Sequence, residues 1–229
     1  MPAFSFQGSA MVGILAFLGL GAVVLLGAAA AALFALRGRR RTASRIVAAV
    51  TVAVLGYVAT LALFAAGSRE RVLGTGQEKY FCELDCHLAY SVVGVRRARS
   101  LAYPAGEERA GGLYHVVTLR TRFDPETISA RRPRGMPLVP NPRVVAVSDR
   151  GRRFLPSPEG QEALRRAGED SVPLERPLRP GESYLTQIVF DLPVDAQAPR
   201  LVLTEAFWPT RLLIGHENSP GHRKTSFAL

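Results

Sequence analysis

The chain has 229 residues, a formal net charge of +10 and two cysteines. Two cysteines are too few for a disulfide-rich secreted scaffold. Nucleic-acid binding requires clustered positive charge, but much of the excess charge flanks two apolar segments, at Arg37, Arg39, Arg40, Arg41, Arg45, Arg69 and Arg71. We therefore predict no nucleic-acid partner. The length accommodates a membrane anchor and one domain of ordinary size.

Two apolar segments, residues 11–36 and 46–67, begin the chain. Neither contains a charged residue, and each is longer than the roughly 20 residues that a helix needs to cross a bilayer. Backbone groups in lipid must be satisfied within the segment, so both are predicted to be transmembrane α-helices. The residues before the first segment carry no positive charge, which is untypical of a secretory signal. We therefore predict an uncleaved span.

The connection between the two spans indicates their orientation. Residues 37–45 contain five arginines, and positive charge in short loops marks the cytoplasmic side. We expect this loop to be cytoplasmic, with the N-terminus and everything after Gly67 outside. In a bacterium this describes an inner-membrane protein with a periplasmic domain. The predicted domains are residues 1–71, the anchor, and 72–229, the external domain. The predicted partners are the lipid bilayer and an unknown membrane or periplasmic protein.

The external domain shows the pattern of an all-β protein. Strands are predicted at residues 88–95, 114–123, 143–148, 153–155, 183–192, 200–205 and 210–214. Six or seven short strands separated by turn signals are typical of a β-sandwich. The fold class is thus α+β: a two-transmembrane-helix hairpin followed by an all-β sandwich.

The remaining segments of this domain are predicted as connections and one short helix. A polar connection is expected at residues 100–112, a long loop at 124–142, and a helix at 158–168 with Ser157 as its N-cap. In strand 183–192, alternation predicts that Tyr184, Ile188 and Phe190 point inward. Phe207 and Trp208 are predicted to pack in the core or at a sheet edge.

Two motifs in the external domain resemble motifs that occur in the same order in a known domain family. The first is D-x-G-x-x-F-x-P, formed by Asp149, Gly151, Phe154 and Pro156. The second comprises Leu178, Pro180, Gly181, Glu182, Val189, Phe190, Asp191, Leu192 and Pro193. Together they resemble the immunoglobulin-like, telokin-like domains of bacterial membrane proteins and lipoproteins of unknown function. The resemblance covers about half of the external domain and implies an immunoglobulin-like sandwich without catalytic residues.

The candidate chemical site is the sequence CELDCH, which contains Cys82, Cys86 and His87. One interpretation is a disulfide or two unrelated thiols. Residues four apart in a strand are about 13 Å apart, whereas a disulfide needs Cα atoms about 4.4–6.8 Å apart. A bridge therefore requires the chain to turn here. Haem attachment is a weaker alternative, because its usual motif, CxxCH, has one residue fewer between the cysteines.

The other main interpretation is a metal site. Thiolate and imidazole ligands suit copper or zinc, and within this interpretation copper is the candidate cofactor. The spacing resembles the C-x-E-x-C loop of cytochrome oxidase subunit II, which also has a two-helix hairpin and an external sandwich. There the loop lies between late strands; here it precedes the first strand. Residues 225–229 are predicted to pair as an edge strand, which would bring His222 to the site as a further ligand, with His216 and Glu217 nearby.

No enzyme motif is present: the chain lacks G-x-S-x-G, a phosphate-binding glycine loop and HExxH. We therefore predict a non-enzymatic accessory or interaction protein, without catalytic residues. The alternative is a copper-binding or thiol-redox protein that uses Cys82, Cys86, His87 and His222.

Overall fold

The computed structural model describes residues 6–82, 87–130, 132–133, 135–169 and 171–229, and leaves the side chains of residues 6–11 and Cys82 undescribed. The chain forms two compact units. The first comprises Met1–Arg69 and Phe207–Lys224; the second comprises Glu70–Ala206 and Thr225–Leu229.

The first unit is built on two long helices, α1 (Phe6–Leu36) and α2 (Arg40–Gly67). Both predicted apolar segments are therefore helical. The helices pack against each other where Gly27 lies against Val50 and Ile46, and a side chain at Gly27 would overlap Val50. Close contact at a small residue is what the glycine- and alanine-rich sequence predicts.

The connection between the helices is shorter than the predicted loop of residues 37–45. Helix α2 begins at Arg40, and Gly38 supplies the positive φ of the tight turn. The sequence contains no helix-breaking residue after Gly38, and arginine is a good helix former. Most of the arginine-rich loop is therefore the first turns of α2.

The second unit is a β-sandwich, as predicted. Its strands are β1 (Arg71–Leu73), β2 (Lys79–Cys82), β3 (His87–Tyr103), β4 (Gly106–Asp124), β5 (Arg143–Asp149), β6 (Arg152–Phe154), β7 (Ser183–Leu192), β8 (Arg200–Glu205) and β9 (Thr225–Ala228). One sheet has the order β1-β9-β8-β5-β6, and the other has the order β2-β3-β4-β7. Apart from the parallel pair β1–β9, the strand pairs are antiparallel.

The core lies between the two sheets. Phe123, Phe190, Leu203 and Phe227 are completely buried in it and come from both sheets. The predicted inward residues Tyr184, Ile188 and Phe190 are all buried. Apolar side chains from the facing sides of the two sheets build this layer, as expected for stacked sheets.

The short helix α3 (Pro158–Arg166) covers a second apolar cluster. Ser157 caps it, as predicted, by accepting a hydrogen bond from the Gly160 amide at 3.1 Å. Ala163 and Leu164 pack against Leu101, Tyr114, Val116 and Val189.

The predicted polar connection at residues 100–112 is wrong. Strands β3 and β4 continue as a hairpin to a tight turn at residues 104–105. Register shifts between Val92 and Gly94 and between Ala98 and Ser100 interrupt the pairing. A bulge adds one residue and reverses the alternation of faces beyond it, so the strand pattern of the hairpin is lost in the sequence.

The predicted strand at residues 210–214 is also wrong: residues Trp208–Leu212 form a 3₁₀ helix. Pro209 has no backbone N–H and its fixed φ suits the first turn of a helix. Phe207 and Trp208, predicted to pack, are 66% and 64% exposed. The terminal strand does form, but β9 lies between β1 and β8 rather than at an edge.

Candidate functional site

The predicted site falls at the end of the β2–β3 hairpin. Cys82 and His87 are directly paired in the antiparallel register, so the chain reverses direction between them. The disulfide interpretation required the chain to turn in this region. Cys86 lies outside the described residues, as does the side chain of Cys82. The roles predicted for these two cysteines therefore remain predictions.

His87 sits half-buried at this hairpin end. Its backbone amide donates to Thr127 Oγ1 at 2.9 Å, and its ring Nδ1 is buried without a hydrogen-bond partner among the described residues. Burial lowers the pKa of His87, and the nearby Asp124 carboxylate only partly opposes this shift. The neutral imidazole is therefore favoured at neutral pH, and this is the form that ligates metals.

The tail histidines belong to the other compact unit. His222 is in the segment Phe207–Lys224, which clusters with the helices, whereas His87 is in the sandwich. His222 Nδ1 lies 2.8 Å from the Arg223 carbonyl, and His216 Nδ1 accepts from the Asn218 amide at 3.0 Å. Among the residues whose placement is described, no three His, Cys, Asp or Glu residues form a metal-sized group.

Beside the hairpin lies a cationic and aromatic cluster that the sequence analysis missed. The Lys79 ammonium is 4.8 Å and the Arg143 guanidinium 4.2 Å from the centre of the Phe81 ring. Lys79 Nζ also donates to the carbonyls of Leu203 and Thr225, at 2.7 and 3.2 Å. A strand of one sheet is thereby hydrogen-bonded to two strands of the other, so Lys79 joins the sheets. The alternation of Lys79, Tyr80 and Phe81 is a sequence signal for the face that the lysine shares with Phe81, but it does not identify the carbonyls that bind the lysine.

The outward face of the same strands carries an ion-pair network. Arg122 binds the Glu78 carboxylate with two hydrogen bonds, of 2.9 and 2.7 Å. The bond from Arg122 is the main cause of the lowered pKa of Glu78. Partial burial and the Glu78 carboxylate raise the pKa of Tyr80 to about 12. These groups stay in their ordinary charge states at neutral pH, so the network provides fixed charge rather than a proton-transfer group.

The two motif aspartates bind backbone amides. Asp149, completely buried, accepts hydrogen bonds from the amides of Gln197 and Ala198 at 3.3 and 3.0 Å. Asp191 accepts from the amides of Gly111 and Gly112 at 2.7 and 3.0 Å. Asp149 therefore fixes a loop to strand β5, and Asp191 joins strand β7 to strand β4, so both carboxylates have a structural function.

Comparisons with known proteins found no matching family model and no matching curated protein. Several solved structures are similar. One is a conserved hypothetical protein from Bacillus anthracis, with 14% identity, a TM-score of 0.41, and coverage of 58% of this chain and 92% of that chain. A second is the secreted protein MPT63 from Mycobacterium tuberculosis, with 14% identity, a TM-score of 0.42, and coverage of 72% and 99%. A third is an uncharacterized β-sandwich protein from Clostridium difficile, with 7% identity, a TM-score of 0.34, and coverage of 71% and 97%.

The class of this protein follows from its own strands and helices: it combines two long apolar helices with a β-sandwich domain. The similar structures are secreted or uncharacterised β-sandwich proteins, and at these identities and TM-scores they carry no argument about function.

Proposed function

We propose that the chain is a membrane-anchored protein whose β-sandwich acts outside the cytoplasm as a non-enzymatic accessory or interaction domain. The observation that carries this proposal is the exposed apolar surface of α1 and α2. Leu25, Leu26 and Leu63 are each more than 70% exposed. Among the described side chains of both helices, the buried hydrophobic ones are Ala31, Ala43 and Ala65. Apolar surface of this extent is stable in contact with lipid and unfavourable in water.

The dimensions and charges of the helices fit a bilayer. The helices contain 31 and 28 residues, or about 46 and 42 Å at 1.5 Å per residue, and the hydrocarbon core is about 30 Å thick. The charge-free stretch Val12–Leu36 and the helix Arg40–Gly67 are each long and apolar enough to cross it. The arginines gather at the connecting turn, which favours a cytoplasmic turn and an external sandwich.

The sandwich supports an interaction role through the way it uses its polar groups. Lys79, Asp149 and Asp191 are held by backbone groups, and Glu78 by Arg122. These bonds stabilise strands and loops. The two motifs that carry Asp149 and Asp191 resemble those of immunoglobulin-like, telokin-like domains, and that resemblance implies no catalytic residues.

Alkaline extraction of membranes that contain the full chain tests the anchor. We expect the chain to stay in the membrane pellet with its N-terminal helix intact by mass spectrometry. Release into the supernatant would contradict the proposal, and cleavage after α1 would indicate a secretory signal instead.

A matched pair of variants makes this test specific. Leu25→Arg with Leu26→Arg places two charges near the helix centre, at about 2.5–3.5 kcal/mol each, and should reduce membrane retention. Leu36→Arg is the control, because Leu36 is at the helix end, where an arginine reaches the interface. If all variants extract alike, lipid does not cover this surface.

A second candidate function is copper binding or thiol redox chemistry. The arrangement of residues at the end of the β2–β3 hairpin favours it. Cys82 is paired with His87, and the His87 ring keeps a buried Nδ1 without a partner in the described structure. The proposed ligands are Cys82, Cys86 and His87, with His222 as a further candidate.

Metal content tests this second candidate. The full chain, reduced and loaded with Cu(I) or Zn(II), should retain stoichiometric metal, and Cys82→Ser/Cys86→Ser and His87→Ala should lose it. His115→Ala is the matched control, because His115 is buried in β4 with its Nδ1 3.2 Å from the Leu113 carbonyl. If the protein retains no metal and both thiols are unreactive until they are reduced, the metal site is contradicted and a disulfide is supported.

A further inference from the structure

The segment Phe207–Lys224 leaves the sandwich sequence and packs on the two helices. Tyr57 donates a hydrogen bond to the Leu212 carbonyl at 2.6 Å. A Cβ atom at Gly13 would lie 2.8 Å from the Ile214 carbonyl oxygen, so only a glycine permits this approach. Ser68 accepts a hydrogen bond from the Arg223 amide at 2.8 Å. Both helices therefore hold this segment.

The contacts place the segment beside the part of the helical hairpin that is farthest from the arginine-rich turn. It lies alongside the last turns of α2 rather than beyond them. Tyr57 precedes the last residue of α2, Gly67, by ten residues, which is about 15 Å along the helix axis. The Leu212 carbonyl that it binds therefore lies beside the apolar part of α2 rather than beyond it. Gly215, by its contact with Phe64, follows the same helix toward its end.

The irregular backbone of this segment satisfies its own polar groups. The Leu213 amide donates to the Thr210 carbonyl at 3.3 Å and the Thr210 amide to the Phe207 carbonyl at 3.3 Å. The Leu213 carbonyl accepts from Ser219 Oγ at 2.5 Å and from the His216 amide at 3.2 Å. Non-helical backbone at membrane depth is tolerated only where its polar groups find partners within the protein.

The start of the segment exposes side chains that suit a membrane–water interface. Phe207 and Trp208 are 66% and 64% exposed, and Arg211 is exposed one 3₁₀ turn later. Aromatic side chains with a polar edge concentrate at the headgroup level of bilayers. Arginine binds phosphate there with several hydrogen bonds.

We propose that residues 207–214 form an interfacial anchor in the outer leaflet, with Phe207 and Trp208 inserted among phospholipid headgroups and Arg211 at their phosphates. The inference rests on the proposed function, because it requires the helices to span the bilayer. Its consequence is a second attachment of the chain to the membrane, about 140 residues after the helices in sequence.

Trp208 is the only tryptophan of the chain, so it reports on its own environment. The full chain is reconstituted into vesicles of phosphatidylethanolamine and phosphatidylglycerol whose acyl chains carry bromine either near the headgroup or near the chain end. We expect a blue-shifted emission, strong quenching by the shallow bromines, weaker quenching by the deep ones, and little quenching by aqueous iodide. Interfacial elements insert about 5–10 Å into the headgroup and acyl boundary, which matches the shallow probe.

The matched control moves the probe to the sandwich. In Trp208→Phe/Val194→Trp, the tryptophan occupies a position that is 81% exposed, and iodide should quench it while bromolipids do not. Iodide quenching of Trp208 equal to that of this control would overturn the proposal. Protection of Trp208 from both quenchers would also overturn it, because a protein rather than lipid would then cover the residue.

Alkaline extraction of the same vesicles separates this inference from the proposed function. If the chain is extracted, the membrane anchor itself fails and the interfacial segment fails with it. If the chain resists extraction while Trp208 remains accessible to iodide, the helices span the bilayer and the interfacial anchor alone is wrong.

Discussion

At the scale of single residues, Asp149 fixes the β5–β6 turn to the loop before β8. The amides of Ala198 and Gln197 and the guanidinium of Arg152 donate to its carboxylate. The turn itself needs positive φ at both central residues, Arg150 and Gly151, a geometry that suits a two-residue hairpin. The aspartate stabilises the strands on both sides of this strained turn.

This carboxylate should contribute to acid sensitivity. Hydrogen bonds, chiefly from the Ala198 amide and Arg152, lower the pKa of Asp149, so its pKa in the folded state is below the unfolded value of about 3.9. The stabilisation is therefore complete above the unfolded pKa and is lost as the pH falls through the folded pKa. Asp149→Asn should lower the urea midpoint of the full chain in detergent micelles at neutral pH and flatten its decrease in acid.

Asp195→Asn is the matched control for this prediction. Asp195 also faces Arg152, at 3.4 Å, but its side chain is 67% exposed, and the loop amides of Gln197 and Ala198 bind Asp149 instead. It should leave both the midpoint and its acid dependence nearly unchanged. Equal behaviour of the two variants would contradict the role assigned to Asp149.

Gly112 is required by a close backbone contact. A Cβ atom there would overlap the carbonyl of Leu192 and approach Pro193 Cα to 2.9 Å. Gly112→Ala should destabilise the sandwich by about 1–3 kcal/mol, the usual cost of overpacking, measured by urea unfolding of the full chain in micelles. Gly94→Ala is the control, since the space around Gly94 is open. Similar midpoints for both variants would show that the strand yields at residue 112.

Several single residues could be predicted from sequence and others could not. Ser157 as the cap of α3, and the inward Tyr184, Ile188 and Phe190, followed from local patterns that the structure keeps. Lys79 was missed because its burial depends on carbonyls in strands more than a hundred residues later in the chain. The exposure of Trp208 was missed for the same reason: the segment packs on the helices, a contact that alternation does not encode.

At the scale of elements, strand β7 illustrates how the sandwich protects an edge. It is the last strand of its sheet, and an unprotected edge invites pairing with other chains. The Gln161 side chain of α3 accepts from the Val189 amide at 3.3 Å and donates to the Gln187 carbonyl at 3.1 Å. The Ser157 amide donates to the Val189 carbonyl at 2.8 Å. Helix α3 thus occupies hydrogen-bonding positions that another strand would use.

Removal of the Gln161 hydrogen bonds should destabilise the edge strand β7. Gln161→Ala leaves an amide and a carbonyl of β7 without partners, at a cost of about 1–3 kcal/mol, and should increase aggregation after mild heating. Urea unfolding and light scattering of the full chain in micelles measure the two effects. Arg165→Ala, on the exposed side of the same helix, should change stability by less than about 0.5 kcal/mol. If Gln161→Ala behaves like Arg165→Ala, the explanation that α3 protects the edge strand β7 is contradicted.

Element predictions failed where a local pattern was interrupted or overridden. The β3–β4 hairpin extends through the predicted polar connection. The sequence did not predict this because two register shifts break the alternation of the strands. Residues 210–214 were predicted as a strand, but they follow Pro209, lie largely in a 3₁₀ helix and pack against α1 and α2. The disulfide interpretation required the chain to turn near Cys82, and Cys82 is paired with His87, but the chemistry of the cysteines stays a prediction.

At the scale of the whole molecule, the two compact units are interleaved along the chain. After β8, residues Phe207–Lys224 cluster with the helices, and residues Thr225–Leu229 return to the sandwich as β9. Between β1 and β8, β9 completes the sheet that begins directly after α2. Composition separated an apolar anchor from a polar domain, but the assignment of the tail to the anchor depends on tertiary contacts with Gly13, Tyr57 and Ser68.

In the proposed topology, the helices span a bilayer with the arginine-rich turn on one side and the sandwich on the other. Labelling of single cysteines in sealed, right-side-out vesicles with a membrane-impermeant maleimide tests it most directly. Arg39→Cys marks the turn and Val194→Cys the sandwich, each in a Cys82→Ser/Cys86→Ser background. We predict immediate labelling at residue 194 and labelling at residue 39 only after the vesicles are opened. Labelling of both positions in sealed vesicles, or the reverse order, would contradict the account.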